Sequence, residues 1–431
     1  MYTLLFSILI LLAVVILLWS QPAGWRTIFE PGVVILGLFS FCYLIPAIAI
    51  IFGGKILSTV DMRSVELISL YGCLFTVSFL FFYMVLKPIY HIKVMPKIYL
   101  SIYWSPYKCF VGFILVFIII KIILYYFGVG ETGGYSGQYI VRKSIPQVTR
   151  QLLNVLSSLQ WLFLYILVAS SFYSSVRKQK KAMYYLWIAT FIFIGDMLFT
   201  YSRSQFVTLL FIFIASYTFY MKPIGLKKET AISFFLVFLL GVFSFLREAT
   251  FGFSNIDWLS VLVPSEFASI YNNAMHLMTI HATSDFVEAP GSSYLQSLIA
   301  FVPMQINEGK WDLATWYVGE YFPEHAALGG GLAFGLIPEA IVNWGLLSIV
   351  FQAFIVALIF RVAYFSAYKR RDSKPGLMIM FYIYCYSQIY ALVRSDSFVI
   401  INSLILGFVI PFLIMFVLSR IRVMPGHYKS V

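Results

Sequence analysis

Apolar residues in this chain come in long uninterrupted runs, not in the strict alternation of a half-buried sheet. Runs of roughly twenty residues, the length needed to cross a bilayer as a helix, cover 2–19, 31–52, 65–86, 108–127, 152–174, 182–201, 204–221, 230–246, 342–365, 376–393 and 398–418. This pattern predicts an all-α polytopic membrane protein with about eleven transmembrane helices, organised as a single membrane-embedded domain over 1–431. The first run has no basic residue before it and no small-residue cleavage site after it, so it reads as a retained span rather than a signal peptide. The pattern changes only once at length. Residues 248–341 carry no run long enough to span, but "EFASIYNNAMHLMTIH" has helical apolar spacing and "SSYLQSLIAFVP" reads as a second amphipathic piece.

Composition fits the runs: 61% of residues are hydrophobic, only 11% are charged, and the mean hydropathy is +0.89. A soluble domain would carry about a quarter charged residues. The formal charge of +12 raises the question of nucleic acid, and the placement of the charge answers it. Threading the chain through eleven spans puts 19 of the 30 Lys and Arg on the side of the C-terminal tail and 9 on the other. That bias marks a cytoplasmic C-terminus and an outward N-terminus. "RKQKK", "KPIGLKKE" and "YKRRDSK" are then topology signals, and no nucleic acid is expected as a partner. The four cysteines lie in or beside apolar runs with no CxxC, which supports neither a disulfide framework nor a zinc site. No internal repeat is evident, which argues against inverted-repeat transporters.

On this threading 248–341 faces outward. It holds ten of the 18 acidic residues, a single basic residue (Lys310), and His276, His281 and His325. A long, aromatic-rich, non-spanning segment beside a membrane bundle usually carries function. His276 and His281 are five apart, where a helical metal pair would prefer four, so they read as packing residues; His325, among loop-breaking residues in "YFPEHAALGGG", is the better candidate for chemistry.

Charge close to a bilayer is expensive and needs a reason. Arg203 in "YSRSQF", Arg247 in "SFLREAT" and Arg394 in "LVRSDSF" fall at outer ends of different spans. A guanidinium is a permanent cation with a planar fork of donors suited to phosphate, and three around one outer cleft would hold a lipid diphosphate. The alternative is local pairing, Arg247 with Glu248 and Arg394 with Asp396. Lys121 and Asp196 come at similar depth in their spans and read as a structural pair. Asp196 would share a helix face with Arg203 if the helix continued between them.

Most informative is "GGGLAFGLIPEAIVNWG", 329–345, immediately before an apolar run. Its glycines permit unusual dihedrals, Pro338 suits a first helical turn, and Glu339 is favoured near a helix N-terminus. Glu339 and Asn343, four apart, are either a capping acid and a satisfied amide or a polar face aimed into an outer cleft.

"GGGLAFGLIPEAIVNWGLLSIVF", the "YSRSQF" turn, "FSFLRE" ahead of a large outer loop, and "RSD" between the last two spans together resemble the bacterial O-antigen and capsule polymerases, the Wzy-type oligosaccharide repeat-unit polymerases. The resemblance covers the topology and about the C-terminal half. It implies a glycosyltransferase at the outer face of the inner membrane that moves a glycan from undecaprenyl diphosphate onto the non-reducing sugar of a new lipid-linked repeat unit. It further implies a cationic diphosphate pocket (Arg203, Arg247, Arg394) and a base among His325, Glu339 and Glu324. Glycan contacts would come from Asn343, Asp396, Glu266 and Trp311, with Trp258 and Trp316 also able to stack on sugar faces. Segment 248–341 becomes the lid of the cleft. With no DxD motif, no metal and no cofactor are expected. The partners implied are the undecaprenyl-diphosphate-linked glycan donor and acceptor, membrane lipid, and a chain-length regulator. Two other classes compete: an O-antigen ligase using much the same cleft on lipid A core, and a flippase for the lipid-linked unit, which would place its unusual charges in mid-bilayer.

Overall fold

The computed structural model describes residues 1–21, 26–52, 61–86, 105–129, 141, 144–176, 181–200, 203–221, 223–236, 238, 265–281, 291–302, 309, 311–324, 332–368 and 375–420. Among these the chain is helical and contains no strand. In chain order the helices are α1 (Tyr2–Trp19), α2 (Pro31–Ile51), α3 (Met62–Val85), α4 (Pro106–Tyr126), α5 (Gln147–Val176), α6 (Lys181–Thr200), α7 (Arg203–Tyr220), α8 (Ser265–Ile280), α9 (Ser292–Leu298), α10 (Leu313–Tyr321), α11 (Leu336–Val342), α12 (Leu346–Tyr368), α13 (Leu377–Ser387), α14 (Ile389–Arg394) and α15 (Ser397–Val417). Seven of them (α1 to α5, α12 and α15) are long and apolar enough to cross a membrane.

Local sequence explains where these helices start. Glu30 accepts from the Val33 amide at 3.2 Å ahead of Pro31, and Asp61 accepts from the amides of Arg63 and Ser64 at 3.1 Å each. Ser105 precedes Pro106 in the same way, a capping oxygen followed by the residue that has no N–H to leave unsatisfied. The surfaces of several helices are apolar. Leu4, Leu11 and Leu12 of α1, Ile122 of α4 and Phe191 of α6 are exposed. Contiguous apolar surface of this kind on helices of this length needs lipid to cover it. The chain is an all-helical membrane protein.

The chain divides into two compact units: Met1–Met95 with Tyr201–Lys369 and Tyr382–Asn402, and Pro96–Thr200 with Arg370–Phe381 and Ser403–Val431. In the first, α1, α2 and α12 pack on α3. Its centre is a column of rings, Phe39 on Phe75 at 4.3 Å, Phe75 on Phe79 at 5.8 Å and Phe79 on Tyr83 at 5.1 Å. α8 and α11 close one end of this bundle.

In the second unit α4, α5 and α6 form a three-helix core in which Gly112 lets the Phe163 ring approach the α4 backbone. Lys121 of α4 and Asp196 of α6 form an ion pair there, as their matching depth suggests. Whether Asp196 shares a helix face with Arg203 turns on residues 201–202, which lie outside the described residues. Removing Asp196 takes from the part-buried Lys121 ammonium its ion-pair partner. Asp196→Asn is therefore expected to lower the melting temperature in detergent more than the double change Lys121→Met with Asp196→Leu. A double-mutant cycle checks this, with a coupling of about 1–2 kcal/mol expected.

Two apolar runs do not form the single helices their hydropathy suggests. Run 376–393 breaks at Gln388, whose amide donates to the carbonyls of both Tyr384 and Cys385 at 3.1 Å before α14 begins. Run 342–365 begins as a helix only at Leu346. Asn343 to Gly345 turn the chain, with Gly345 at φ +59° and its amide bonded to the Ala340 carbonyl at 2.8 Å. Hydropathy is indifferent to both breaks, because turns whose backbone groups are satisfied inside the protein are compatible with an apolar sequence.

Candidate functional site

The break ahead of α12 makes α11 a separate seven-residue helix, with all seven of its residues buried. Gly335 precedes it at φ +85°, a backbone region that side chains strain. A Cβ there would lie 2.6 Å from the Tyr43 hydroxyl, 2.7 Å from Ile270 Cγ2 and 3.1 Å from the Val393 carbonyl. Tyr43 also accepts from the Ile337 amide at 3.2 Å. α11 is thus pinned against α2, α8 and α14 by contacts that only a glycine admits.

This placement sets Glu339, which is completely buried. Its Oε2 accepts from Ser397 Oγ at 2.9 Å, and both carboxyl oxygens lie 3.2 Å from the Ser397 amide at the head of α15. Ser293 of α9 donates to Oε1 and Gln352 of α12 to Oε2, each at 3.3 Å. One carboxyl group therefore ties α9, α11, α12 and α15 together. No Lys or Arg among the described residues pairs with it. Burial, reinforced by the nearby Asp396 charge and only partly offset by the hydrogen bonds of Ser397 and Ser293, pushes its pKa up to about 8. The raised pKa brings the exchange between the neutral and ionised forms of Glu339 close to physiological pH.

Asn343 does not present its amide alongside Glu339 on a continuous helix. It caps α11, giving Nδ2 to the Glu339 carbonyl at 2.7 Å and to Ser293 Oγ at 2.8 Å. Tyr294 links onward to Gln352 Nε2 at 3.0 Å and to Ser348. The Oδ1 of Asn343 and the Oε1 of Gln352 are buried with no hydrogen-bond partner. The network is rich in acceptors, with two left over for a donor such as a hydroxyl.

Asp396 sits just before α15 and is buried. It accepts from the Val399 amide at 3.0 Å and from the Leu313 amide at 2.8 Å, so one carboxylate caps both α15 and α10. Burial raises its pKa to about 6, and the neighbouring Asp312 adds to the rise while the amides of Val399, Leu313 and Ala314 oppose it. Arg394, half-buried at the end of α14, donates to the Tyr390 hydroxyl at 3.3 Å and lies 5.7 Å from that ring. The sequence offered Asp396 as its ion-pair partner, but the described ion pairs do not include the two.

Trp311, just ahead of α10, and Trp316 on it have ring centroids 6.1 Å apart, and Trp316 meets Tyr321 edge-on at 6.1 Å. His276 shares a 2.8 Å hydrogen bond through Nδ1 with the Tyr317 hydroxyl and packs on Tyr321 and Phe322. Burial lowers its pKa, as fits a neutral packing histidine. Glu324 is exposed beyond α10, and His281 is exposed at the end of α8.

His325, Arg247 and Trp258 lie outside the described residues, and Arg203 and Glu266 are described only in backbone, within α7 and α8. Ser293, Gln352 and Ser397, which complete the Glu339 network, were not singled out from sequence. Gln352 had a usable signal, as an amide inside an otherwise apolar span. The serines had none, since serine is ordinary at helix starts. Comparison of the chain with protein-family models, curated proteins and solved structures yields no match.

Proposed function

We propose that this protein polymerises undecaprenyl-diphosphate-linked oligosaccharide repeat units by glycosyl transfer at the outer face of a bacterial inner membrane. The observation that carries the reading is Glu339, a fully buried acid whose pKa is raised to about 8 in a network built from α9, α11, α12 and α15. A general base works best when its pKa lies near the operating pH. In this reading eleven spans leave the C-terminus cytoplasmic, and segment 248–341 is the outward lid of the site.

The ionised Glu339 takes the proton of the acceptor sugar hydroxyl. The acceptor oxygen forms a bond to the anomeric carbon of the donor glycan, the bond from that carbon to the diphosphate oxygen breaks, and undecaprenyl diphosphate leaves with the electron pair. Arg394, joined by Arg203 and Arg247, stabilises the charge gathering on the diphosphate. α9 covers Glu339 through Ser293, so the acceptor reaches the carboxylate when α9 lifts. The unpartnered oxygens of Asn343 and Gln352 accept from hydroxyls of the arriving sugar. Trp311 and Trp316 offer ring faces along α10.

The test is reconstitution. Purified protein mixed with a synthetic undecaprenyl-diphosphate repeat unit is expected to yield a ladder of glycans in the presence of EDTA. A strict requirement for magnesium or ATP, or transfer to lipid A core without chain growth, would replace this reading with another.

A further inference from the structure

The end of α12 away from Glu339 holds a second, differently built group. Arg361 lies nine residues beyond Gln352, about 14 Å along the helix, and is only 6% exposed. Its Nε donates to the Tyr83 carbonyl at 2.6 Å near the end of α3. Its guanidinium carbon sits 3.5 Å from the centre of the Tyr83 ring and 5.4 Å from that of Phe365. The far side of Tyr83 is also occupied, since its hydroxyl donates to Glu30 Oε1 at 2.5 Å. The side chain is thus folded back onto a ring and locked there, unlike an arginine snorkelling along a helix toward water.

What the lock leaves over is a pair of nitrogens. Neither Nη of Arg361 makes a hydrogen bond or ion pair with a described residue, and neither is among the sealed, partnerless atoms of the interior. A buried guanidinium normally has an acid against it, because desolvating an unpaired charge is costly. Glu30, the acid brought nearest through Tyr83, spends its oxygens on Tyr83 and on the Val33 amide.

The geometry points to Arg361 as a binding site for a phosphate-bearing anion, its two Nη nitrogens forming the fork and Tyr83 the backing. A planar pair of donors with fixed direction matches two phosphate oxygens, which a lysine ammonium cannot do. The charge bias of the sequence places this end of α3 and α12 on the cytoplasmic side, where the phosphate would be an anionic lipid headgroup or inorganic phosphate. The site is independent of the glycosyl transfer proposed above, since it lies at the opposite end of α12 and shares no residue with the Glu339 network.

The experiment uses the purified full-length chain in detergent, loaded with phosphatidylglycerol or with a diacylglycerol of the same acyl chains, and counts retained lipid by native mass spectrometry. Inorganic phosphate is titrated in parallel by thermal shift. The wild-type chain is expected to retain phosphatidylglycerol over the diacylglycerol. Arg361→Gln is expected to weaken that retention by about ten-fold, the loss of a charge-assisted pair of hydrogen bonds, and Arg361→Lys by less. Stabilisation by inorganic phosphate with the same dependence on Arg361 would assign the site to the soluble anion rather than the lipid. Equal retention of both lipids together with no phosphate effect would overturn the proposal. So would unchanged anion binding in Arg361→Lys and Arg361→Gln, and the lysine variant keeps the test open if the glutamine variant does not fold.

Discussion

Glu339→Gln is expected to reduce glycan ladder formation by about 100- to 10,000-fold, the range associated with loss of a general base, while the chain remains in the membrane. The carboxylate accepts from Ser397 through both oxygens, so an amide would turn a donor toward that serine. A moderate fall in melting temperature therefore accompanies the loss of activity. Glu339→Asp separates the two effects: it keeps the base and shortens its reach, and is expected to retain more activity than the glutamine variant at equal stability. Equal ladders from wild type and Glu339→Gln would remove this residue from the chemistry.

The same residue predicts a pH dependence. Its folded pKa is raised from 4.5 to about 8, so between those values the folded chain holds a proton that the unfolded chain has released. Stability from this group is complete below about pH 4.5 and is lost as pH rises through about 8. Asp396 acts with the same sign over a lower window, from 3.8 to about 6. Between pH 6 and 8 comparison with Glu339→Gln separates this group from others titrating there, His276 among them: the wild type is expected to lose more stability across that range than the glutamine variant.

Gly335→Ala is expected to cost about 3 kcal/mol of stability, from crowding plus a left-handed backbone. The new Cβ would meet Tyr43, Ile270 and the Val393 backbone at once. Displacing them shifts α11 and with it Glu339. Gly345→Ala is the control, because at φ +59° a Cβ there has only the Tyr71 hydroxyl nearby, at 3.2 Å. It should carry mainly the backbone penalty, about 1 kcal/mol. Thermal melting of both variants in detergent measures the difference. A Gly335→Ala chain as stable as Gly345→Ala would show that α11 is not held by this close approach.

Much of the architecture was legible in the sequence because it depends on properties summed along short stretches. Apolar runs of bilayer length and the paired depths of Lys121 and Asp196 act locally or along one helix axis. The helical character of the described part of segment 248–341 was legible for the same reason, from the spacing in α8 and α9. The breaks at 343–345 and at Gln388 were not, since hydropathy reports what a residue prefers as solvent and not whether its backbone continues a helix.

By itself, then, the sequence determined that this is an all-helical membrane protein, and it marked Glu339, Asn343 and Asp396 as polar groups beside the spans. Only the tertiary structure decided what surrounds them. Glu339 meets Ser293 and Ser397, 46 and 58 residues away in the chain, and Asp396 meets Leu313 across 83. Such partners are chosen by how helices turn and pack once Gly335 and Gly345 have bent the backbone. A buried carboxyl takes its proton affinity from that enclosure, a property of the folded surroundings that no local pattern of residues contains.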